Sequence, residues 1–310
     1  MNFDYLHKYE LMNTRMFQLD KNIASGLAKN MDCIMINKTI IYNKNINDIK
    51  TIFIKADLLV YYIHILTDLL EKPNTNINIV IASSDWTFPN NIDKRLKPTN
   101  INDKKIFIDL INNPKINKVF VENLDEDLGD KVISIPLGIN PNECPTNFGY
   151  FLQFENKNMN RPIKITNFNR NRTKVGQWEE RGIVWDLCKT SWTSFFIENK
   201  LLPHKQYLTK LAEYPFTICV SGGGLDPCPK LFEAILVGVI PIIKKKTPQT
   251  NAFLDLPVVF VDDWNKDTIN EQNLRKWYAK YIKYFTDEDK RKNVLEKLGL
   301  NYWTNKIKTA

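Results

Sequence analysis

The sequence predicts an α/β protein of two domains, each layered from parallel strands and helices, facing one another across a cleft. Three observations predict it. Short β-branched runs alternate with helical stretches, a polar and turn-rich segment between Pro141 and Pro162 separates two such series, and 310 residues suffice for two cores of ordinary size.

The elements follow in order. Residues 31–36 and 39–42 read as short strands, residues 51–62 are mostly apolar, and a helix extends over 61–71. The run NINIVIA at 76–82 is a clearer strand, short, β-branched and bounded by Pro73-Asn74 on one side and polar residues on the other. A helix at 104–112 ends before an Asn-Pro turn, and strands follow at 118–122 and 132–135. Beyond the polar segment come a strand at 163–168, helices at 177–189 and 204–213, a strand at 216–220, a helix at 230–237, and strands at 240–243 and 258–261. Residues 271–285 suit an amphipathic helix with Leu274, Tyr278, Tyr281 and Ile282 on one face. The expected domains are Rossmann-like and span 1–150 and 151–310, with the final helical region placed to cross back onto the first.

Composition narrows the class. The chain is 43% hydrophobic and 25% charged, ordinary values for a globular protein. Charges run through the opening residues, so no signal-peptide core is expected there, and no apolar run reaches the roughly 20 residues of a membrane helix. Five scattered cysteines, at 33, 144, 188, 219 and 228, read as reduced thiols, which points to the cytoplasm. There is no CxxC pair, and His7, His64 and His204 lie far apart in sequence, so no metal site is expected. The net charge of +8 favours anions in general. No nucleic-acid-binding module is recognisable, and nucleic acid is not expected among the partners.

The chemistry concentrates in FTICVSGGGLDPCPKLFEAILVGVIPIIKKK, residues 216–246. A strand runs into Ser221 and then Gly222, Gly223 and Gly224, where the missing side chains let a ligand approach the backbone. A helix opens near Pro229 and ends near Gly238. Lys230 stands in its first turn, against the helix dipole, a position that makes sense when an anion shares it with the free backbone N–H groups. Glu233, three residues on, lies on the same face and can accept from sugar or ribose hydroxyls. The bland alternative is a tight turn with a solvated Lys230–Glu233 pair. The spacing is neither GxGxxG nor that of a P-loop, which argues against a nicotinamide dehydrogenase and a P-loop kinase. Arg170 and Arg172, in NFNRNRTK, suit a diphosphate. Asp85 follows the 76–82 strand and Glu122 follows the 118–122 strand; each is placed to serve as a general base, with Asp85 preferred, and Asp85 equally suits an Asx-turn or helix cap. Asp125, Glu126, Asp127 and Asp130 read as an acidic surface turn.

These features together resemble the exostosin-like glycosyltransferase family and its relatives from large DNA viruses and algae. The likeness is strongest over 163–277, in NFNRNRT, in the glycine turn followed by Lys230, Glu233-Ala234 and Gly238-Val239-Ile240-Pro241, and in LDLPVVFVDDW at 254–264. The resemblance implies the two-domain glycosyltransferase B fold, with a nucleotide sugar bound mainly to the second domain and an acceptor on the first. It implies inverting transfer to a carbohydrate hydroxyl without an essential metal or any cofactor, Lys230 meeting donor phosphate and Glu233 the nucleoside or sugar. The sequence departs from the family in carrying Lys230 where many relatives have Arg, in the Pro227-Cys228-Pro229 context, and in its shorter length without a membrane anchor. A catalytically silent glycan- or partner-binding relative is the second reading, and a nucleic-acid-binding protein the third.

Overall fold

A computed structural model describes residues 6, 9–15, 17–19, 22–24, 26–72, 76–158, 160–169, 179–197, 202–246 and 248–310. A hairpin of β1 (Phe17–Leu19) and β2 (Asn22–Ala24) and a short helix α1 (Gly26–Lys29) lead into β3 (Cys33–Ile36), β4 (Thr39–Tyr42) and β5 (Thr51–Lys55). Helix α2 (Leu59–Glu71), β6 (Ile77–Ala82), α3 (Ile101–Asn112), β7 (Ile116–Val121) and β8 (Val132–Ser134) complete the first sheet, whose order is β4-β3-β5-β6-β7-β8. Its neighbours are parallel except β3 and β4, which form an antiparallel edge.

Strand β6 is buried along its whole length, which is why it reads as mostly apolar rather than alternating, with Asn78 its one polar residue. The pleat still sorts its side chains. Ile79 and Ile81 pack with Ile52, Ile54, Val119 and Val121 beneath α2 and α3, where Tyr62, Leu66 and Phe107 fill the layer. Val80 and Ala82 join Phe53 and Phe120 on the opposite face, against Leu11, Met12, Leu27, Trp303 and Ile307. Asn100 starts α3 by accepting from Asp103 N at 2.9 Å, a cap that places the helix start three residues before the predicted one.

The second series begins with α4 (Phe148–Leu152), β9 (Ile165–Thr166), α5 (Glu179–Thr190) and β10 (Phe196–Ile197). It continues with α6 (His204–Leu211), β11 (Phe216–Ile218), α7 (Lys230–Leu236), β12 (Ile240–Lys244) and β13 (Val259–Val261). Its sheet has the order β10-β9-β11-β12-β13 and is parallel throughout. Two sheets, one mixed and one parallel, each flanked by helices, thus face a common cleft. Helix α7 is only seven residues long, and two buried arginines finish it. Arg291 donates to Ile235 O and Leu236 O, each at 2.9 Å, and pairs with Glu155 at 2.6 Å. Arg161 donates to Gly238 O at 2.6 Å, in the turn that Gly238 makes at φ +82°.

The expected 271–285 helix is in fact two, α8 (Glu271–Tyr281) and α9 (Lys283–Thr286), followed by α10 (Glu288–Leu298) and α11 (Leu300–Lys308). Asp287 ends the run in extended backbone and caps α10 through Lys290 N at 3.0 Å, so a new helix starts where the apolar pattern stops. The α11 segment lies on the first lobe: Asn78 Nδ2 donates to Ile307 O at 2.7 Å and Met12 N to Leu298 O at 2.9 Å. No helix among the described residues is long and apolar enough to cross a membrane. All five cysteines are unpaired, Cys228 being the least buried.

Candidate active site

A cleft of about 930 Å³ opens between the sheets. Its lining comes from chain that leaves the carboxyl ends of strands in both. Asp85 follows β6, Glu122 and Asn123 follow β7, Asn167 to Asn169 follow β9, and Gly222 to Gly224 follow β11. That is where parallel sheets leave backbone groups unpaired and loops free to vary.

The glycine turn touches the other lobe. A Cβ on Gly223 would collide with Asp85 and Arg95, and one on Gly224 with Asn123. Asn123 Oδ1 accepts from Leu225 N at 2.8 Å and Asp226 N at 3.0 Å, while its Nδ2 donates to Ser84 O at 2.9 Å. The glycines therefore serve a close approach between lobes, where the sequence suggested an approach by ligand alone. Ser221, expected among the ligand contacts, sits behind the turn: its hydroxyl donates to Leu225 O at 3.0 Å and accepts from Lys246 Nζ at 3.1 Å, and it is not among the cleft-lining residues.

Four charged groups crowd the first-lobe wall. Asp85 is held between Arg15 and Arg95, each at 2.8 Å, and is about one-third exposed. Burial alone would raise its pKa, but the hydrogen bonds from Arg95 and Arg15 outweigh that and hold it below the usual carboxylate range. That setting makes Asp85 a weak proton acceptor. Glu122 is fully buried, and burial pushes its pKa up despite the charge of Arg15. Its Oε2 accepts from Thr14 Oγ1 and Ser83 N, both at 2.7 Å, while Oε1 has no hydrogen-bond partner among the described residues. Asp226, which sequence reasoning passed over, is pushed up to about 7, chiefly by burial. It reaches across to accept from Leu137 N at 3.0 Å.

On the second-lobe wall, Lys230 lines the cleft with no ion-pair or hydrogen-bond partner among the described residues. Glu233 does not pair with it, which removes the solvated-pair alternative. It is buried, its Oε1 lies 3.0 Å from His204 Nε2, and its Oε2 accepts from Tyr207 OH at 2.9 Å. His204 Nδ1 in turn meets Tyr150 OH at 3.0 Å, with the two rings stacked. Arg181, a buried guanidinium in α5, donates through Nε to Ser221 O at 3.1 Å. Phe168, Trp185 and Leu202 add an apolar wall. Among the described residues, two further cleft-lining polar atoms, Asn169 Oδ1 and Trp185 Nε1, are buried without partners.

Arg170, Arg172 and Lys174 lie outside the described residues. The acidic turn is an organising element: Asp125 accepts from Thr87 Oγ1 at 2.6 Å and Glu126 pairs with Lys104 at 2.6 Å, which fixes the segment leading from Asp85 to Arg95. Sequence reasoning also missed Arg15, Arg95, His204 and Tyr207, whose roles depend on partners 10 to 70 residues away. The one local signal was Asp-Pro after the glycines, a polar residue in an otherwise tight apolar turn.

No family model matches the chain, and no curated protein matches it. Solved structures do show likeness. Anabaena HepE in complex with UDP is 10% identical, with a TM-score of 0.44, over 84% of this chain and 78% of that one. An alpha-glucosyltransferase in complex with UDP and a 13-mer DNA is 9% identical, with a TM-score of 0.39, over 86% and 81%. An alpha1,3-fucosyltransferase is 14% identical, with a TM-score of 0.34, over 83% and 72%. At these identities the likeness is distant, and it gives no particular support to an exostosin-like, viral or algal kinship. The expectation that nucleic acid has no place among the partners is corrected to this extent: the second of these similar structures holds a 13-mer DNA.

Proposed function

We propose that the chain is a glycosyltransferase of the B fold that moves a sugar from a nucleoside diphosphate donor to a hydroxyl acceptor. The observation that supports it is Lys230, a cation without an ion-pair or hydrogen-bond partner among the described residues, standing at the carboxyl end of a parallel sheet in a cleft deep enough for a nucleotide sugar. A diphosphate supplies the missing anion, and it becomes the leaving group whose charge Lys230 and Arg181 stabilise as the sugar departs. The buried polar atoms of Asn169 and Trp185 offer the donor hydrogen-bonding sites that the described residues leave unfilled.

In this reading the second domain, 151–310, holds the donor and the first, 1–150, presents the acceptor. The cleft continues into a side cavity of about 680 Å³ lined by Asn37, Lys55, Ser83 and Ser84, which gives the acceptor its polar seat. Inversion needs a base on the acceptor side. Glu122 takes that role, with an oxygen that has no partner among the described residues, and Asp85 instead positions Arg15 and Arg95. Kinship with the exostosin-like family belongs to the same proposal and rests on Lys230, Glu233-Ala234 and the 238–241 turn. The five unpaired thiols fit a reducing, cytoplasmic setting.

The test is calorimetric titration with a panel of UDP-, GDP- and ADP-sugars. At least one should bind the unmodified chain, and Lys230→Ala should weaken it about ten-fold or more, as loss of a charged contact of about 1.5–3 kcal/mol implies. Unchanged affinity in Lys230→Ala, or no binding across the panel, would remove the reading.

A further inference from the structure

Three side chains beneath the cleft share a geometry that the donor reading does not use. Cys144 comes from the segment before α4, His204 opens α6, and Glu233 lies in α7. Their Sγ, ring nitrogen and carboxylate oxygen all lie within 4.8 Å of one another. Cys144 and Glu233 are buried, and His204 and Glu233 also line the cleft.

The surroundings orient the ring and the carboxylate, while the Cys144 thiol donates to Asn140 O at 3.5 Å and turns from it to join them. Tyr150 OH engages His204 Nδ1 at 3.0 Å, which leaves Nε2 as the nitrogen facing Glu233. Tyr207 OH occupies Glu233 Oε2 at 2.9 Å, which leaves Oε1 on the inner side. An outer hydrogen bond that fixes the ring and another that fixes the carboxylate are what a metal centre requires of its supporting residues. The donor set of one thiolate, one imidazole and one carboxylate suits a divalent ion of intermediate softness, above all zinc. Tetrahedral bonds of about 2.0–2.3 Å place neighbouring donor atoms roughly 3.3–3.8 Å apart. The His204 and Glu233 atoms, at 3.0 Å, would open slightly, and the thiol would draw in.

We infer that Cys144, His204 and Glu233 form a three-ligand site for a divalent ion of the zinc class, with its fourth position open toward the cleft. The ion would tie the inter-lobe segment to α6 and α7, and so fix the helix that carries Lys230. The inference stands apart from the donor reading, since its test uses no nucleotide.

The full chain, stripped with a chelator, is titrated with Co²⁺ and followed by absorption. The expected result is one Co²⁺ per chain, with a thiolate-to-cobalt charge-transfer band and the intense visible bands of tetrahedral coordination, both abolished by equimolar Zn²⁺. Cys144→Ser should lose the charge-transfer band, His204→Ala should weaken binding at least ten-fold, and Cys228→Ser should keep the full spectrum. Should Cys144→Ser fail to fold, the unmodified chain and Cys228→Ser still decide the matter. Absence of stoichiometric binding in the unmodified chain, a spectrum without the thiolate band, or loss of that band in Cys228→Ser would each overturn the site.

Discussion

Asn123 is the residue through which the first lobe holds the glycine turn, and its removal has a calculable consequence. Asn123→Ala leaves two backbone donors, Leu225 N and Asp226 N, without the carboxamide oxygen that accepts them at 2.8 and 3.0 Å. Each buried orphan donor costs about 1–3 kcal/mol. Asp226 is buried and incurs that cost, whereas Leu225 is half-buried and recovers part of it from water. The net destabilisation of the docked turn is therefore about 2–3 kcal/mol, which raises its open population roughly 30- to 150-fold. Hydrogen exchange reads this directly. The Leu225 and Asp226 amides should exchange faster by that factor in Asn123→Ala, while amides in β6 and β7 keep their protection. Asn123→Asp keeps the acceptor but loses the bond from Nδ2 to Ser84 O, and should exchange at a rate between those of the unmodified chain and Asn123→Ala. A change below about threefold in Asn123→Ala would refute the argument that this side chain, and not the packing of the glycines, holds the turn.

Three more outcomes follow from the same structure. Asp226 has a folded pKa of about 7 against an ordinary 3.8, so the folded chain keeps a proton that the unfolded chain releases, and stability should fall as pH rises from about 4 to 7 and then level off. In Asp226→Asn the urea midpoint should lose most of that slope, leaving the smaller share of the same sign from Glu122; an unchanged slope would show that Asp226 is not its source. Arg291→Ala strips two carbonyls of α7 of their donors and leaves Glu155 without its partner, which should cost about 3–5 kcal/mol in denaturant unfolding; a loss under 1 kcal/mol would count against the cap. For the chemical step, Glu122→Gln should retain donor binding and slow transfer by about 10²-fold or more, and Asp85→Asn should slow it less; the reverse order would restore Asp85 as the base.

Much of the layered architecture was legible because it is written in local pattern. The run at 76–82 could hardly be anything but a buried strand, and Gly238 marked the end of α7. The helix break between α8 and α9 was not legible, since Tyr281 and Ile282 continue an apolar stripe across it, whereas the start of α10 is set by an Asp287 cap that hydropathy does not register. The site divided along the same line. Lys230 and the glycines stood out because adjacent residues carry the signal, and the structure brings them, Asp85, Glu122 and Glu233 to one cleft. What could not be read was their electrostatic company. Nothing near Asp85 in sequence announces Arg15, 70 residues away, and nothing near Glu233 announces Tyr207 or His204. The charge state of a group depends on such distant neighbours, and for that reason the proposed order of the candidate bases differs from the one read from sequence while the list of carboxylates largely does not.

The return of the chain's last helix to the first sheet has a consequence for biosynthesis. One face of that sheet is covered by Trp303 and Ile307, and its neighbours Asn30 and Asn78 find hydrogen-bonding partners in Thr304 and Ile307. Until residues 299–310 have left the ribosome, the amino-terminal half therefore exists as a sheet with one apolar side only partly covered, by Leu11, Met12 and Leu27. It cannot settle early and wait for the rest, as an independent amino-terminal domain would. The nascent chain must either hold that surface in a fluctuating, collapsed form or hand it to a chaperone, and both lobes reach their final packing together, late, in a single cooperative step.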